Sequence, residues 1–267
     1  SVSKPLASTV LAALVGERAI GWDDRVADLD PAFRLRDPLA SRDVTLRDLL
    51  CHRSGLPDHG GDLLEDVGFD RAAVLHKLRL LEPEAPFRTK HLYSNFGYTA
   101  AAVAGVRPTG KAWEDVAAEK LFKPLGMTAT SFRYRDYAAA PNRAAIHVRE
   151  NGKWAAKWTR DADAQAPAGG ASSTARDLAE WLRLHLANGK HGGKQVVAAD
   201  ALAETHRPQV ITRFEADGGG FYALGWNVST HDGGRVFVRH SGAFNLGVRT
   251  EVALLPAEKL GIVTLCN

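Results

Sequence analysis

Cysteine is scarce in this chain of 267 residues: Cys51 and Cys266 are the only two. They are too few for a disulfide framework, and each is expected to pack as a small apolar residue. No apolar run reaches the roughly 18 residues of a membrane-spanning helix. There is no Gly-x-Ser-x-Gly elbow either, which leaves His52 and Ser54 as loop residues despite their triad-like look. The histidines, His59, His185 and His191 among them, lack metal-ligand spacing such as His-Glu-x-x-His, so no metal is expected. One-signed charge is also missing. Lys and Arg number 34 against 31 Asp and Glu, a net charge of +3 dispersed along the chain. Basic spots such as Arg133 and Arg135 are interrupted by Phe132 and Tyr134, a pattern that speaks against nucleic acid as a partner.

What remains is the composition of a globular chain with a sizeable core, 45% hydrophobic and 24% charged. One large domain or two interleaved ones are expected at this length. Leu6, Val10 and Leu14 recur every four residues, with Pro5 in the first turn and Gly16 beyond the last. That predicts a helix over 3–15 with one buried stripe. Thr45, with Asp48 three residues on, predicts a short capped helix ending at the turn Ser54-Gly55-Leu56-Pro57. Further helices are predicted over 70–81, 98–104, 113–121 and 173–186. In the last of these Leu178, Trp181, Leu182 and His185 share a face, and Asn188-Gly189 is the stop. Trp181 and Trp226 are expected in the core, and Tyr222 in the cleft wall. A hairpin is predicted at Asn151-Gly152, and β-rich segments over 222–228, 236–240, 248–255 and 260–265 predict antiparallel strands. The layout is α+β, an antiparallel sheet flanked by helices with a mostly helical second domain. No internal repeat is present.

Three short motifs could carry chemistry. Ser1-Val2-Ser3-Lys4 places a hydroxyl and an amine one helical turn apart, on one face. Tyr93-Ser94-Asn95 offers a phenol that can act as base if cationic neighbours such as Lys4 favour phenolate. Asn95 supplies both a donor and an acceptor, unless it merely caps the helix that follows. His240-Ser241-Gly242-Ala243 ends a predicted strand whose edge could align a substrate and lend an N–H to an oxyanion hole, with Gly242 permitting close approach. Taken singly, each motif has a plainer reading as a cap, a surface side chain or a strand end.

In this order the motifs resemble those of the penicillin-recognising serine hydrolases, on the class C β-lactamase branch with its family VIII esterases and D-aminopeptidases. Thr45 to Pro57 (TLRDLLCHRSGLP), Pro124-Leu125-Gly126-Met127, Gly169 to Ala179 (GGASSTARDLA) and Leu224-Gly225-Trp226 extend the likeness over nearly the whole chain. The resemblance implies a β-lactamase/transpeptidase-like fold, with Ser1 as acylated nucleophile and Lys4 and Tyr93 sharing a proton relay. Asn95 would hold Lys4 and substrate. His240, Ser241, Gly242 and Ala243 would line the substrate edge, and the N–H groups of Ser1 and Ala243 would form the oxyanion hole. Acylation and hydrolysis of the acyl-enzyme would then proceed without metal or cofactor.

Two departures from the family qualify this expectation. His240 stands where the family has lysine, and an imidazole is only partly charged near neutral pH. It is a weaker anchor for a substrate carboxylate, which ranks a small ester or a D-amino-acid amide or peptide above a β-lactam. The family also carries strands before the nucleophile helix and a helix after the last strand. Segment 1–22 is accordingly expected to be the nucleophile helix of an α/β domain without its upstream strands. Segment 23–168 would be the mostly helical domain, and 169–267 the helix and strands that complete the first, without its C-terminal helix. Residues preceding Ser1 are expected, so export, compartment and oligomeric state stay open. Two alternatives stand beside the enzyme reading: a non-catalytic penicillin-binding or sensor module, and an N-terminal-nucleophile hydrolase using the Ser1 α-amine. Loops at about 58–70, 132–168 and 207–221 are expected to shape the acyl pocket.

Overall fold

A computed structural model describes residues 1–215, 218–231 and 233–267. Ala216 and Asp217, in one of the loops expected to shape the pocket, lie outside the described residues. The first helix, α1, spans Ser3–Gly16, as the leucine spacing predicts. It is not striped, however: every residue from Ser3 to Leu14 is buried. The short helices around 95–106, 113–122, 166–169 and 199–204 pack about it, so all of its faces meet protein. Its polar side chains are met internally. Ser8 and Thr9 hydroxyls donate to Pro5 O at 3.1 and 2.8 Å, and Thr9 Oγ1 accepts from Trp181 Nε1 at 3.0 Å. Buried polar groups persist only with such partners.

Six antiparallel strands follow as a meander, each hydrogen-bonded to the next in sequence. They are β1 (Val210–Glu215), β2 (Gly218–Tyr222), β3 (Asn227–His231), β4 (Arg235–Phe244), β5 (Val248–Leu255) and β6 (Leu260–Cys266). The one continuous strand expected over 222–228 is broken by a turn at 223–226. Gly225 explains the break. Its φ is +90°, and an added Cβ would stand 2.5 Å from Tyr98 Oη and 3.0 Å from Lys4 O. The chain passes against the backbone of α1 here, which an ordinary strand residue could not do. Helix 175–186 (Ala175–Leu186), capped by Thr174, packs on β6, and its Trp181 stacks on Trp226 at 5.4 Å. Both tryptophans are fully buried, as core residues should be. Asn151-Gly152 makes the expected hairpin turn between short strands. Among the described residues no helix is long and apolar enough to cross a membrane.

The insertion that carries the second motif is tied together at Asp48. Thr45 and Asp48 form a capping box at the start of the 46–50 helix (Leu46–Leu50). The fully buried Asp48 carboxylate also accepts from Arg53 Nε at 2.6 Å and Arg88 Nη2 at 2.7 Å. Around this hub, residues 88–94 run alongside 52–59. Arg88 N–H donates to Arg53 O, Leu92 N–H to His52 O, and His59 N–H to Tyr93 O, at 2.7–2.8 Å. Replacing Asp48 by Ala removes its half of the capping box and leaves the part-buried Arg53 and the exposed Arg88 without their anion. We expect a stability loss of about 2–4 kcal/mol, read as a lowered urea midpoint at unchanged slope. A midpoint within experimental error of the parent would refute the hub.

Candidate active site

Lys4 is fully buried and is the second residue of α1. Its Nζ meets three acceptors from three separate segments: Asn95 Oδ1 at 2.6 Å, Ala168 O at 3.0 Å and Ser1 Oγ at 3.3 Å. It also lies 4.5 Å from the centre of the Tyr93 ring. Burial drives its pKa from 10.5 down to about 7, against the opposing pull of the Asp62 carboxylate. Near neutrality the group is therefore divided between ammonium and amine. As an amine it has two N–H donors, enough for Asn95 and Ala168, and its lone pair is left for Ser1.

Asn95 is the first residue of a helix (Asn95–Val106) whose cap is its neighbour: Ser94 Oγ accepts from Gly97 N–H at 2.9 Å. The capping alternative for Asn95 thus falls away, and its amide spans Lys4 and Asp62 instead. Tyr93 stands between the rings of His52 and His59, at 4.4 and 5.4 Å between centroids. A base role for Tyr93 requires its neighbours to favour phenolate, but burial raises its pKa above the ordinary phenol value, and a hydrogen bond with Ser1 only partly opposes this.

His240, Ser241, Gly242 and Ala243 lie on β4 in register with Val252, Glu251, Thr250 and Arg249 of β5. On the other side, pairing with β3 reaches only to Arg239. Residues 240–244 therefore present a β3-side edge that β3 does not pair. Gly242 sits directly against the turn at Ser1, where an added Cβ would be 2.5 Å from Ser1 N and 2.7 Å from Thr250 Oγ1. A cavity of about 230 Å³ opens beside Ser1, walled by Ser241, Gly242, Ala243, Thr250 and outer-strand residues including Glu251 and Cys266.

His240 is buried and internally bonded. Its Nδ1 donates to Ser241 O at 2.7 Å, so Nε2 accepts from the Tyr222 hydroxyl at 2.8 Å. Burial, then Lys4, holds its pKa well below the usual imidazole value. The ring is neutral, a further step away from the family's lysine. Tyr222, expected in the cleft wall, is 1% exposed and serves His240 instead.

Several contacts carry no motif: the Ala168 carbonyl, Tyr98 Oη donating to Lys4 O at 2.7 Å, and Asp62 with His59 behind Asn95. His52 is a loop residue, as expected, yet it is buried and its Nδ1 accepts from Ser94 N–H at 3.1 Å. Only its place in the Thr45–Pro57 motif hinted at proximity to the site.

The fold that brings these segments together has clear structural counterparts. The octameric penicillin-binding protein homologue of Pyrococcus abyssi superimposes with a TM-score of 0.77 at 21% identity, covering 100% of this chain and 60% of that one. A D-stereospecific amidohydrolase of Streptomyces gives 0.80 at 21% identity, covering 100% and 80%. The fold is thus that of penicillin-binding proteins and their hydrolase relatives. The Beta-lactamase family model matches residues 1–267, and the chain belongs to that family. Among curated relatives, an unguisins hydrolase of Aspergillus campestris is 28% identical over 100% of this chain and 51% of its own. Penicillin-binding protein 4 of Amycolatopsis lactamdurans is 30% identical over 85% of this chain and 59% of its own. The chain spans about half the length of the curated relatives it matches.

The depressed pKa of Lys4 has a measurable consequence. Between pH 7 and 10.5 the unfolded chain binds a proton at Lys4 that the folded chain lacks. Lys4 therefore makes stability rise with pH across that window. Urea denaturation at pH 7 and pH 9.5 should show the increment in the parent and not in Lys4→Met; parallel behaviour of the two would rule the depressed value out.

Proposed function

We propose that the protein is a serine hydrolase that works through an acyl-enzyme, with Ser1 as nucleophile and Lys4 as its base. The coordination of Lys4 carries this reading: two acceptors engage the amine's N–H groups, and the remaining lone pair faces Ser1 Oγ at 3.3 Å. A pKa near 7 suits a general base at neutral pH. Ser1 Oγ adds to the substrate carbonyl as its proton passes to Lys4. The N–H groups of Ser1 and Ala243 meet the oxyanion. Tyr93, protonated, hands its proton to the leaving alcohol or amine and is reprotonated from Lys4. The acyl group is then an ester on Ser1 Oγ. Water attacks it, losing a proton back to the Lys4–Tyr93 pair, and the acid departs with Ser1 restored.

The substrate is a small ester, a D-amino-acid amide or peptide, or a β-lactam, and the first two rank above the third. The neutral, internally bonded His240 favours this order, because a substrate carboxylate finds no fixed cation there. The name of one structural neighbour, a D-stereospecific amidohydrolase, agrees with amide cleavage. The unpaired edge at 240–244 would seat the substrate by strand-like hydrogen bonds.

Intact mass after treatment of the full-length protein with a fluorophosphonate or a penicillin should show one adduct, lost in Ser1→Ala. No adduct on a folded protein would favour the non-catalytic binding module, and an adduct surviving Ser1→Ala would move the nucleophile to Ser3 or Ser241. Nitrophenyl esters and D-amino-acid anilides should turn over faster than a chromogenic cephalosporin. Rapid cephalosporin hydrolysis without ester cleavage would reverse the ranking.

A further inference from the structure

Asp62 stands behind the relay, on the far side of Asn95 from Lys4. Its Oδ2 accepts from Asn95 Nδ2 and from His59 Nδ1, both at 2.8 Å, while its Oδ1 is buried without a hydrogen-bond partner. The turn that carries it is fastened to the second motif, with His59 N–H on Tyr93 O at 2.7 Å and Asp62 N–H on His59 O at 3.2 Å. A carboxylate free to choose would turn both oxygens to donors or water. This one is held so that one oxygen serves two donors.

The Asn95 amide is the part this arrangement controls. Its two ends are alike in shape and opposite in hydrogen-bonding sense. An ionised carboxylate only accepts, so the end facing Asp62 must be the NH₂, and Oδ1 is thereby turned onto Lys4 Nζ at 2.6 Å. With the amide reversed, the NH₂ would confront the Lys4 amine and compete with the Ser1 hydroxyl for its lone pair. Asp62 also faces Lys4 electrostatically, in the sense that favours ammonium. The other titratable groups around Lys4 are Tyr93 and Tyr98, with ring centres at 4.5 and 5.8 Å, and His52 and His240, both held neutral by burial and by Lys4 itself. On the side of Asp62 stand His59 and, one turn along, the Glu65–Arg160 pair at 2.7 Å.

We propose that Asp62, seated by His59, is a positioning residue of the relay: through Asn95 it keeps the Lys4 lone pair on Ser1, and it is the counter-ion of the buried lysine. This rests on the Ser1–Lys4 reading above and adds a residue that none of the three motifs contains. Two functions follow from one side chain, and they separate by substitution. Asp62→Ala removes both the acceptor and the charge. Asp62→Asn retains an oxygen that can accept from Asn95 but removes the charge.

The test follows the titration of Lys4 by ¹³C NMR of labelled lysine Cε, with the signal assigned from its loss in Lys4→Met, beside the rate of fluorophosphonate adduct formation across pH. In Asp62→Ala the Lys4 midpoint should move to lower pH and adduct formation should fall at least tenfold on the alkaline plateau. Asp62→Asn should recover part of that rate and keep the lowered midpoint. An unmoved midpoint in both variants overturns the counter-ion role, even if both melt at lower temperature, because a purely structural residue would behave so. Labelling of Asp62→Ala at the parental rate overturns the orienting role. A shifted midpoint with no adduct on the parent protein upholds the counter-ion role and refutes the acyl-enzyme reading, so the two fail separately.

Discussion

An ammonium withdrawn from water must have its donors met or surrender its proton. Lys4 sits where both are within reach, and the rest of the site is arranged around that choice. Its three acceptors come from the turn before α1, from the helix at 95–106 and from the short helix at 166–169. None of these segments can shift without leaving a buried polar atom unpaired. The same three contacts hold the helices at 95–106 and 166–169 against α1. Stability and chemistry share one side chain here.

The surroundings of Lys4 are built to exclude other positive charge. His52 and His240 are buried and neutral; His52 Nδ1 is directed to Ser94, and both His240 nitrogens are engaged by Ser241 and Tyr222. Tyr93 remains a phenol because its burial outweighs the opposing hydrogen bond with Ser1, with the Asp62 and Asp58 carboxylates acting in the same sense as burial. Asp62 is the charge that opposes this trend at Lys4. A lysine left with neither counter-ion nor acceptors would lose its proton far below neutrality. The protonation of Lys4 thus depends on a balance between a dry pocket and one carboxylate held at second remove.

Much of the local structure was legible because it rests on local rules. Thr45 and Asp48 announce their capping box by spacing alone. The face of Leu178, Trp181, Leu182 and His185 is buried as its periodicity predicts, and the strand at 248–255 has the predicted bounds. Other features were hidden because their causes lie elsewhere in the chain. A four-residue leucine spacing suggests one stripe, yet α1 is enclosed on every side by helices up to two hundred residues away in sequence. The strand through 222–228 breaks because Gly225 lies against the Lys4 carbonyl, a contact no window of sequence contains.

The site divides along the same line. Ser1, Lys4, Tyr93, Asn95 and the 240–243 edge could be picked out because each carries a chemically distinctive group in a recognisable order, and side-chain chemistry is a property of sequence. Whether an amine is charged, a phenol acidic or an imidazole available depends on burial and on partners brought from afar. Tertiary structure alone made Lys4 half neutral, kept Tyr93 protonated, closed His240 onto Tyr222 and set Asp62 behind Asn95. The sequence named the candidate groups; their protonation states belong to the folded environment, because desolvation and long-range hydrogen bonds exist only once the chain has closed around them.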